Sequence, residues 1–399
     1  MFIEYILFFS FFQYGAKIAY MNKKQPLSYI EISKGNLINN MKEFKSFVSK
    51  NTKVAAVIKS NAYGHGDVEC VKILNPYVDY FQIDSIEELR RIRPFSKKDI
   101  LVFGYIGMND INEAIKLGCI LSAFDFEHLL KINNAAKKLG IKQKVHIAID
   151  SCLGREGIMP NQVENYIKEI KNLKNVVIDG VYSHFANIED TMNFSYAEKQ
   201  ISTYHKAVEI FKNNGFQDIH THISATSGAM IYEKNNNLHS IVRIGIGLYG
   251  LWPSDHLEFL LKKKINLLPV LKWVTHIAQI KTLPANHSIG YGLSFITKKN
   301  TKIAVIPQGY ADGLNRALSN NGEVLIKGKK AKILGRIAMN MFVVDVSGIK
   351  DVNTEDEVVI IGNMDKNTIT AEAIALKMNS INYEVVTKIS PFLPRIVTK

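Results

Sequence analysis

The chain has 399 residues, 47% hydrophobic and 22% charged, which is the balance of a globular enzyme. This is too much sequence for one ordinary core and suits two domains, one of them a barrel of roughly 250 residues. Lysines and arginines exceed acids by 50 to 37, for a net charge of +13, but the lysines are scattered; this argues against a nucleic-acid partner and suits an anionic cofactor and substrate. Three cysteines, Cys70, Cys119 and Cys152, have no paired spacing, which excludes a disulfide framework and a zinc site and points to a reducing compartment; no metal is expected.

In chain order, residues 2–14 are apolar but too few to span a bilayer, and Glu4 stands where a signal peptide wants positive charge. Residues 1–26 are expected to be an extension, read first as an upstream false start and second as a leader or surface anchor; the protein is otherwise expected to be cytoplasmic, with no membrane needed. Alternating patterns then predict strands over 53–58, 79–83, 99–103, 120–123, 144–149, 176–182, 219–224 and 241–246. Helical spacing is expected over 85–92, 110–117, 127–139, 161–173 and 196–213. Eight strands in this rhythm suggest a closed α/β barrel over 27–264. From 265 to 399 the rhythm changes: strands are expected at 270–280, 301–306, 323–326, 331–337, 341–346, 357–361 and 383–389, and only 371–378 reads as helix.

The first barrel strand carries the chemistry. Apolar residues 54–58 run into Lys59, and Ser60-Asn61-Ala62-Tyr63-Gly64-His65-Gly66 cannot continue a strand. Lys59 therefore sits at the carboxyl end of an interior strand, where barrel enzymes place their reactive groups. A desolvated lysine there can lose its proton and form a Schiff base. Taken alone, such a lysine more often just extends its stem along the strand end.

The whole stretch from Ile58 to Gly66 resembles the pyridoxal-phosphate lysine motif of the alanine racemases. Further segments resemble that family in its own order: Tyr182-Ser183-His184-Phe185-Ala186, Arg243-Ile244-Gly245-Ile246-Gly247-Leu248-Tyr249-Gly250, Gly290-Tyr291-Gly292, Gly309-Tyr310-Ala311-Asp312-Gly313, Gly335-Arg336-Ile337-Ala338-Met339-Asn340 and Ile381-Asn382-Tyr383-Glu384. The resemblance runs from about residue 27 to 395. It implies a (β/α)8 TIM-type barrel followed by a C-terminal mostly β domain, pyridoxal 5'-phosphate as cofactor, and a homodimer with shared active sites. The expected activity is interconversion of L- and D-alanine, supplying D-alanine for peptidoglycan.

By the same resemblance Lys59 is the cofactor's amine, Gly245 and Ile246 give main-chain donors to its phosphate, and Tyr63, Ser227 and Tyr383 give hydroxyls, with Thr226 as an alternative to Ser227. Arg243 faces the ring nitrogen; an arginine cannot hand over its proton fully, which favours returning a proton to Cα. Racemisation needs a base on each face of the substrate: Lys59 on one, and Tyr291 of the other subunit on the opposite, assisted by His184. Arg155 and the main chain of Met339 are implied to bind the substrate carboxylate.

The chain departs from the pattern around Arg155. Asp150-Ser151-Cys152-Leu153 replaces the usual Asp-Thr-Gly-Met, and Ala148 stands where many members carry a carbamate-bearing lysine. Something else must hold Arg155, and substrate choice is more open than reaction type. A serine or broad-specificity racemase is the alternative, ahead of a decarboxylase or a non-enzymatic cofactor-binding protein.

Overall fold

The structure is a computed structural model that describes residues 25–233 and 239–399. Almost all of the expected extension over 1–26 lies outside the described residues. Strand β1 (Tyr29–Ser33) comes first and leads directly into the helix Lys34–Phe47, capped by Ser33. Eight parallel strands then form the barrel: β2 (Lys53–Val57), β3 (Tyr80–Ile83), β4 (Asp99–Val102), β5 (Ile120–Ala123), β6 (Gln143–Ala148), β7 (Val176–Tyr182), β8 (His220–His222) and β9 (Ile241–Ile244). They pair in sequence, and β9 returns to β2 with Ala55 opposite Arg243. Between β8 and β9 the ladder thins to two backbone bonds, Ser240 N–H to Thr221 O at 3.0 Å and Arg243 N–H to Ser224 O at 3.0 Å. The barrel is therefore nearly closed. Strands such as β3 and β5 are buried at every position, as expected when helices cover one side of a parallel sheet and the barrel interior the other.

The covering helices begin and end where their sequences dictate. Ser85 and Asp125 cap Ile86–Ile92 and Phe126–Leu139 by accepting from the backbone N–H of Glu88 and His128. Gly118 and Gly140, both left-handed, stop Ile111–Leu117 and Phe126–Leu139.

The second half supplies β10 (Leu271–His276), β11 (Gln279–Leu283), β12 (Ser288–Ile289), β13 (Phe295–Ile296), β14 (Thr301–Ile306), β15 (Glu323–Ile326), β16 (Lys329–Leu334), β17 (Phe342–Asp345), β18 (Glu357–Met364), β19 (Asn367–Ile369) and β20 (Arg395–Thr398). Most of them join one sheet in the order β11-β14-β17-β16-β15-β18-β10-β1-β20. The expected single strand over 270–280 is thus two strands, β10 and the start of β11, in different parts of that sheet. β1 precedes the barrel yet belongs here, antiparallel to β10 and parallel to β20.

The strand expected over 383–389 is a helix, Asn382–Thr387. Val385, Val386 and Thr387 favour strands intrinsically, but Val385 is buried beside Trp273, Leu314 and Ile374 and Val386 beside His65 and Tyr249, and that packing overrides propensity. The helix touches the loop after β2 so closely that a methyl on Gly64 would stand 1.9 Å from Val386 O. Arg395 completes the junction, donating from Nη2 to Gly64 O at 2.7 Å.

Candidate active site

Directly after Lys59 the chain makes a left-handed turn: Ser60, Asn61, Ala62 and Tyr63 all have φ between 53° and 55°. For residues with a Cβ this conformation costs roughly 1–2 kcal/mol each, so the surroundings must impose it. Within the turn Gly64 N–H donates to Ser60 O at 3.0 Å and Gly66 N–H to Asn61 O at 2.9 Å. From outside, Glu88 accepts from Ser60 N–H at 2.6 Å and Asp84 N–H at 2.8 Å, tying the turns after β2 and β3 together. The result turns Lys59 and Tyr63 into the barrel mouth. There Lys59 Nζ lies 3.2 Å from Asp84 Oδ2.

A cavity of about 470 Å³ opens at the carboxyl ends of the strands, lined in part by Lys59, Tyr63, Arg155, His184, Arg243 and Tyr383. Gly245, Ile246 and Thr226 form its wall on the β9 side. Arg243, at 3% exposure, is the buried cation of the floor. Its Nη1 donates to His222 Nδ1 at 2.5 Å, and its Nη2 to Ser183 O at 2.8 Å and His184 Nδ1 at 3.2 Å. The rings of Phe103 and Tyr182 lie 5.2 and 5.8 Å from the guanidinium. Burial brings Arg243 down to about 10, so it remains a cation at neutral pH.

Because a guanidinium only donates, both imidazoles facing it must accept through Nδ1 and carry their proton on Nε2. His222 Nε2 then donates to His146 Nδ1 at 2.8 Å, and His146 Nε2 to Asp179 Oδ2 at 3.4 Å, with Lys144 Nζ 3.1 Å from Asp179 Oδ1. One proton arrangement satisfies the whole line through the barrel. Burial and the Arg243 charge hold His222 well below its ordinary value. Burial, with the charges of Arg243, Arg155 and Lys59, takes His184 down to about 3, so both rings are neutral.

Arg155 is held by the residue next to it. Its Nη2 donates to Glu156 Oε1 at 2.9 Å, and its Nε also bonds Glu156. Ala148 is buried in β6, and Glu156 is the acid that bonds Arg155. The loop carrying Arg155 is also fixed: Asp150 Oδ1 accepts from Leu153 N–H at 2.8 Å and Gly154 N–H at 2.9 Å, and Tyr196 OH donates to Cys152 O at 2.7 Å.

The expected phosphate donors cluster as a cradle. A methyl on Gly245 would stand 2.7 Å from the Tyr63 hydroxyl, so the absence of a side chain leaves that backbone open. Of the two hydroxyls offered as alternatives, Thr226 lines the cavity and accepts from Gly245 N–H at 3.0 Å, which ties up one expected main-chain donor. Ser227 lies just behind, donating to Glu189 Oε1 at 3.0 Å. Amine, arginine and cradle suit an aldehyde-bearing phosphate ester such as pyridoxal phosphate. Glu189 is the one member that does not match an anion.

Tyr291 and Met339 stand apart from this cavity, 71% and 56% exposed on loops of the second sheet. Among the described residues no group of His, Cys, Asp or Glu is placed to hold a metal ion, and no helix is long and apolar enough to cross a membrane. Sequence reasoning missed Asp84, Glu156, Glu189 and the line from His222 to Asp179. Only the histidines left a signal, since 220 and 222 alternate along one strand and so share a face.

The chain matches the family descriptions "Alanine racemase, N-terminal domain" over residues 32–253 and "Alanine racemase, C-terminal domain" over residues 270–397. It is 37% identical over 370 residues to alanine racemase 2 of Caldanaerobacter subterraneus, covering 92% of this chain and 94% of that one. Its structure is similar to that of an alanine racemase of Clostridium difficile, with a TM-score of 0.88, 32% identity and coverage of 94% and 97%. A Bacillus anthracis alanine racemase structure with bound L-Ala-P matches with a TM-score of 0.88 at 29% identity, covering 95% and 96%.

Proposed function

From the premise that the chain belongs to the alanine racemase family, and is thus a pyridoxal-phosphate-dependent amino-acid racemase, we propose that it interconverts L- and D-alanine by two bases on opposite faces of Cα. The observation that carries this is the convergence of the Lys59 amine, the buried Arg243 and the Gly245 cradle on one cavity. Lys59 would hold the cofactor's carbonyl carbon, Arg243 its ring nitrogen, and Tyr63, Tyr383, Thr226 or Ser227 and the backbone at 245–246 its phosphate. When bound, the cofactor draws electron density away from the substrate Cα.

The rest falls to side chains. Arg155, pre-set by Glu156, receives the substrate carboxylate together with the main chain of Met339, which stands apart from this chain's own cavity and so comes, like Tyr291, from a second copy. Lys59 Nζ takes or returns the proton on one face, and Tyr291 Oη of a second copy serves the other. His184, kept neutral with its proton on Nε2, is the group that assists this tyrosine. Arg243 keeps its own proton, so it would leave a bound ring nitrogen without a full proton, which favours returning a proton to Cα.

The shared site needs a homodimer. In support, Tyr291, Leu293, Tyr310, Met339 and Met341, on connections between strands of the second half, and Ile296 of β13 are exposed apolar side chains. The segments carrying Tyr310 and Met339 are joined by Tyr310 N–H to Ala338 O at 3.1 Å and Ala311 N–H to Met339 O at 2.9 Å. D-alanine for peptidoglycan and a cytoplasmic location complete the proposal.

The test is purified protein with L-alanine and a D-amino-acid-specific readout, repeated over L-serine and other amino acids. Robust D-alanine formation that vanishes in Lys59→Ala supports the proposal. Activity retained in that variant refutes it.

A further inference from the structure

Glu189 follows β7 in a loop fixed on both sides. Ile188 is buried, and Ser254 Oγ donates to Glu189 O at 2.6 Å. From there the carboxylate reaches into the cavity wall. Its Oε1 accepts from Ser227 Oγ at 3.0 Å and from Tyr383 OH at 3.3 Å, two of the hydroxyls assigned above to the phosphate. The groups around it are Tyr63, Tyr383 and Ser227, with the negative charge of Asp190 beside it, and among the described residues it has no ion-pair partner. A carboxylate and a phosphate ester compete for this one pair of donors in the half-buried wall, because each like charge raises the free energy of the other and the cavity's cations, Lys59, Arg155 and Arg243, form no ion pair with Glu189.

We propose that Glu189 is an internal anion that holds the phosphate cradle in the cofactor-free protein, and that the cofactor enters only when this carboxylate swings out or takes a proton from solvent. This rests on reading the cavity as the pyridoxal-phosphate site. Protonated Glu189 changes from competitor to donor: its O–H can point at the phosphate, and Ser227 and Tyr383 are released to do the same. Burial raises its pKa, against the hydrogen bonds from Ser227 and Tyr383, which brings the protonated form within easier reach. Cofactor affinity therefore falls as pH rises and Glu189 ionises.

The test is calorimetric titration of the cofactor-free full chain with pyridoxamine 5'-phosphate, which has the ring and phosphate but no aldehyde for Lys59, between about pH 6 and pH 8.5. Pyridoxamine without the phosphate is the control. Glu189→Gln should bind the phosphorylated probe about tenfold more tightly than the native chain at the alkaline end, with a flatter pH dependence. Glu189→Asp, with its carboxylate drawn back, should fall between, and the control probe should not distinguish the three. Equal or weaker binding by Glu189→Gln overturns the proposal and makes Glu189 a group that orients the two hydroxyls. A native chain that binds neither probe overturns the assignment of the cavity itself, and the proposal with it.

Discussion

Lys59 and Arg243 are legible from the sequence because each ends an apolar strand and sits in a run of residues that has little other use. Glu156 is not, although it adjoins Arg155, because only the fold of the loop decides that the two side chains turn toward each other. The pairing makes a specific demand. Glu156 is held below the ordinary carboxylate range by Arg155 despite its own burial, so Glu156→Gln should loosen the arginine while leaving Lys59 and Tyr291 unchanged. The KM for alanine should rise by roughly three- to tenfold while kcat changes much less. Steady-state kinetics in both directions decides, and a fall in kcat at constant KM would show that Glu156 acts elsewhere. Glu156→Asp should recover part of the loss.

Among the elements, strand order and most helices follow from hydrophobic period, and the failures share a cause. The segment 382–387 looks like a strand by composition and becomes a helix because it packs against the barrel mouth. The turn 60–63 looks like an open loop and becomes left-handed because Glu88 and the Gly64 contact leave it no alternative. Neither constraint is local, so neither is written in the residues concerned. Gly64 is where the two elements meet, with φ at 83° and Val386 O where a methyl would go. Gly64→Ala should lower stability by more than about 2 kcal/mol and should weaken cofactor binding as well, since Tyr63 and Lys59 share the turn. Thermal unfolding and cofactor titration check this. A stable variant with normal cofactor affinity would mean the junction is looser than it looks.

For the whole molecule, two outcomes follow from how charge and function are distributed. Burial holds His65 at about 4 and His184 at about 3, and lowers His128, His146 and His222. In the unfolded chain these imidazoles titrate near 6.5, so below that pH the unfolded state binds more protons and stability drops as pH falls. Each buried ring steepens the slope by up to about 1.4 kcal/mol per pH unit. Asp179, held at about 2 by its His146 and Lys144 partners, loses its contribution only in stronger acid. The melting temperature should fall clearly between about pH 7 and pH 5, and a flat profile would contradict it. The second outcome concerns assembly. If Lys59 and Tyr291 of one site come from different copies, mixing inactive Lys59→Ala with inactive Tyr291→Ala should restore up to about a quarter of native activity, because half the dimers are hybrids and each has one intact site. No recovery after subunit exchange would place both bases in one chain.

The position of β1 sets the timetable of folding. Tyr29–Ser33 leaves the ribosome ahead of every barrel strand, yet the partner across from Tyr29 is Val274 and the one beside Ile30 is Arg395. Among the described residues, the first strand made is among the last to be paired. Until then a short apolar ribbon with unsatisfied amides is on offer to any other nascent chain. Chaperone capture during synthesis should centre on this amino-terminal ribbon, even though the finished protein pairs it on both sides, between β10 and the edge strand β20.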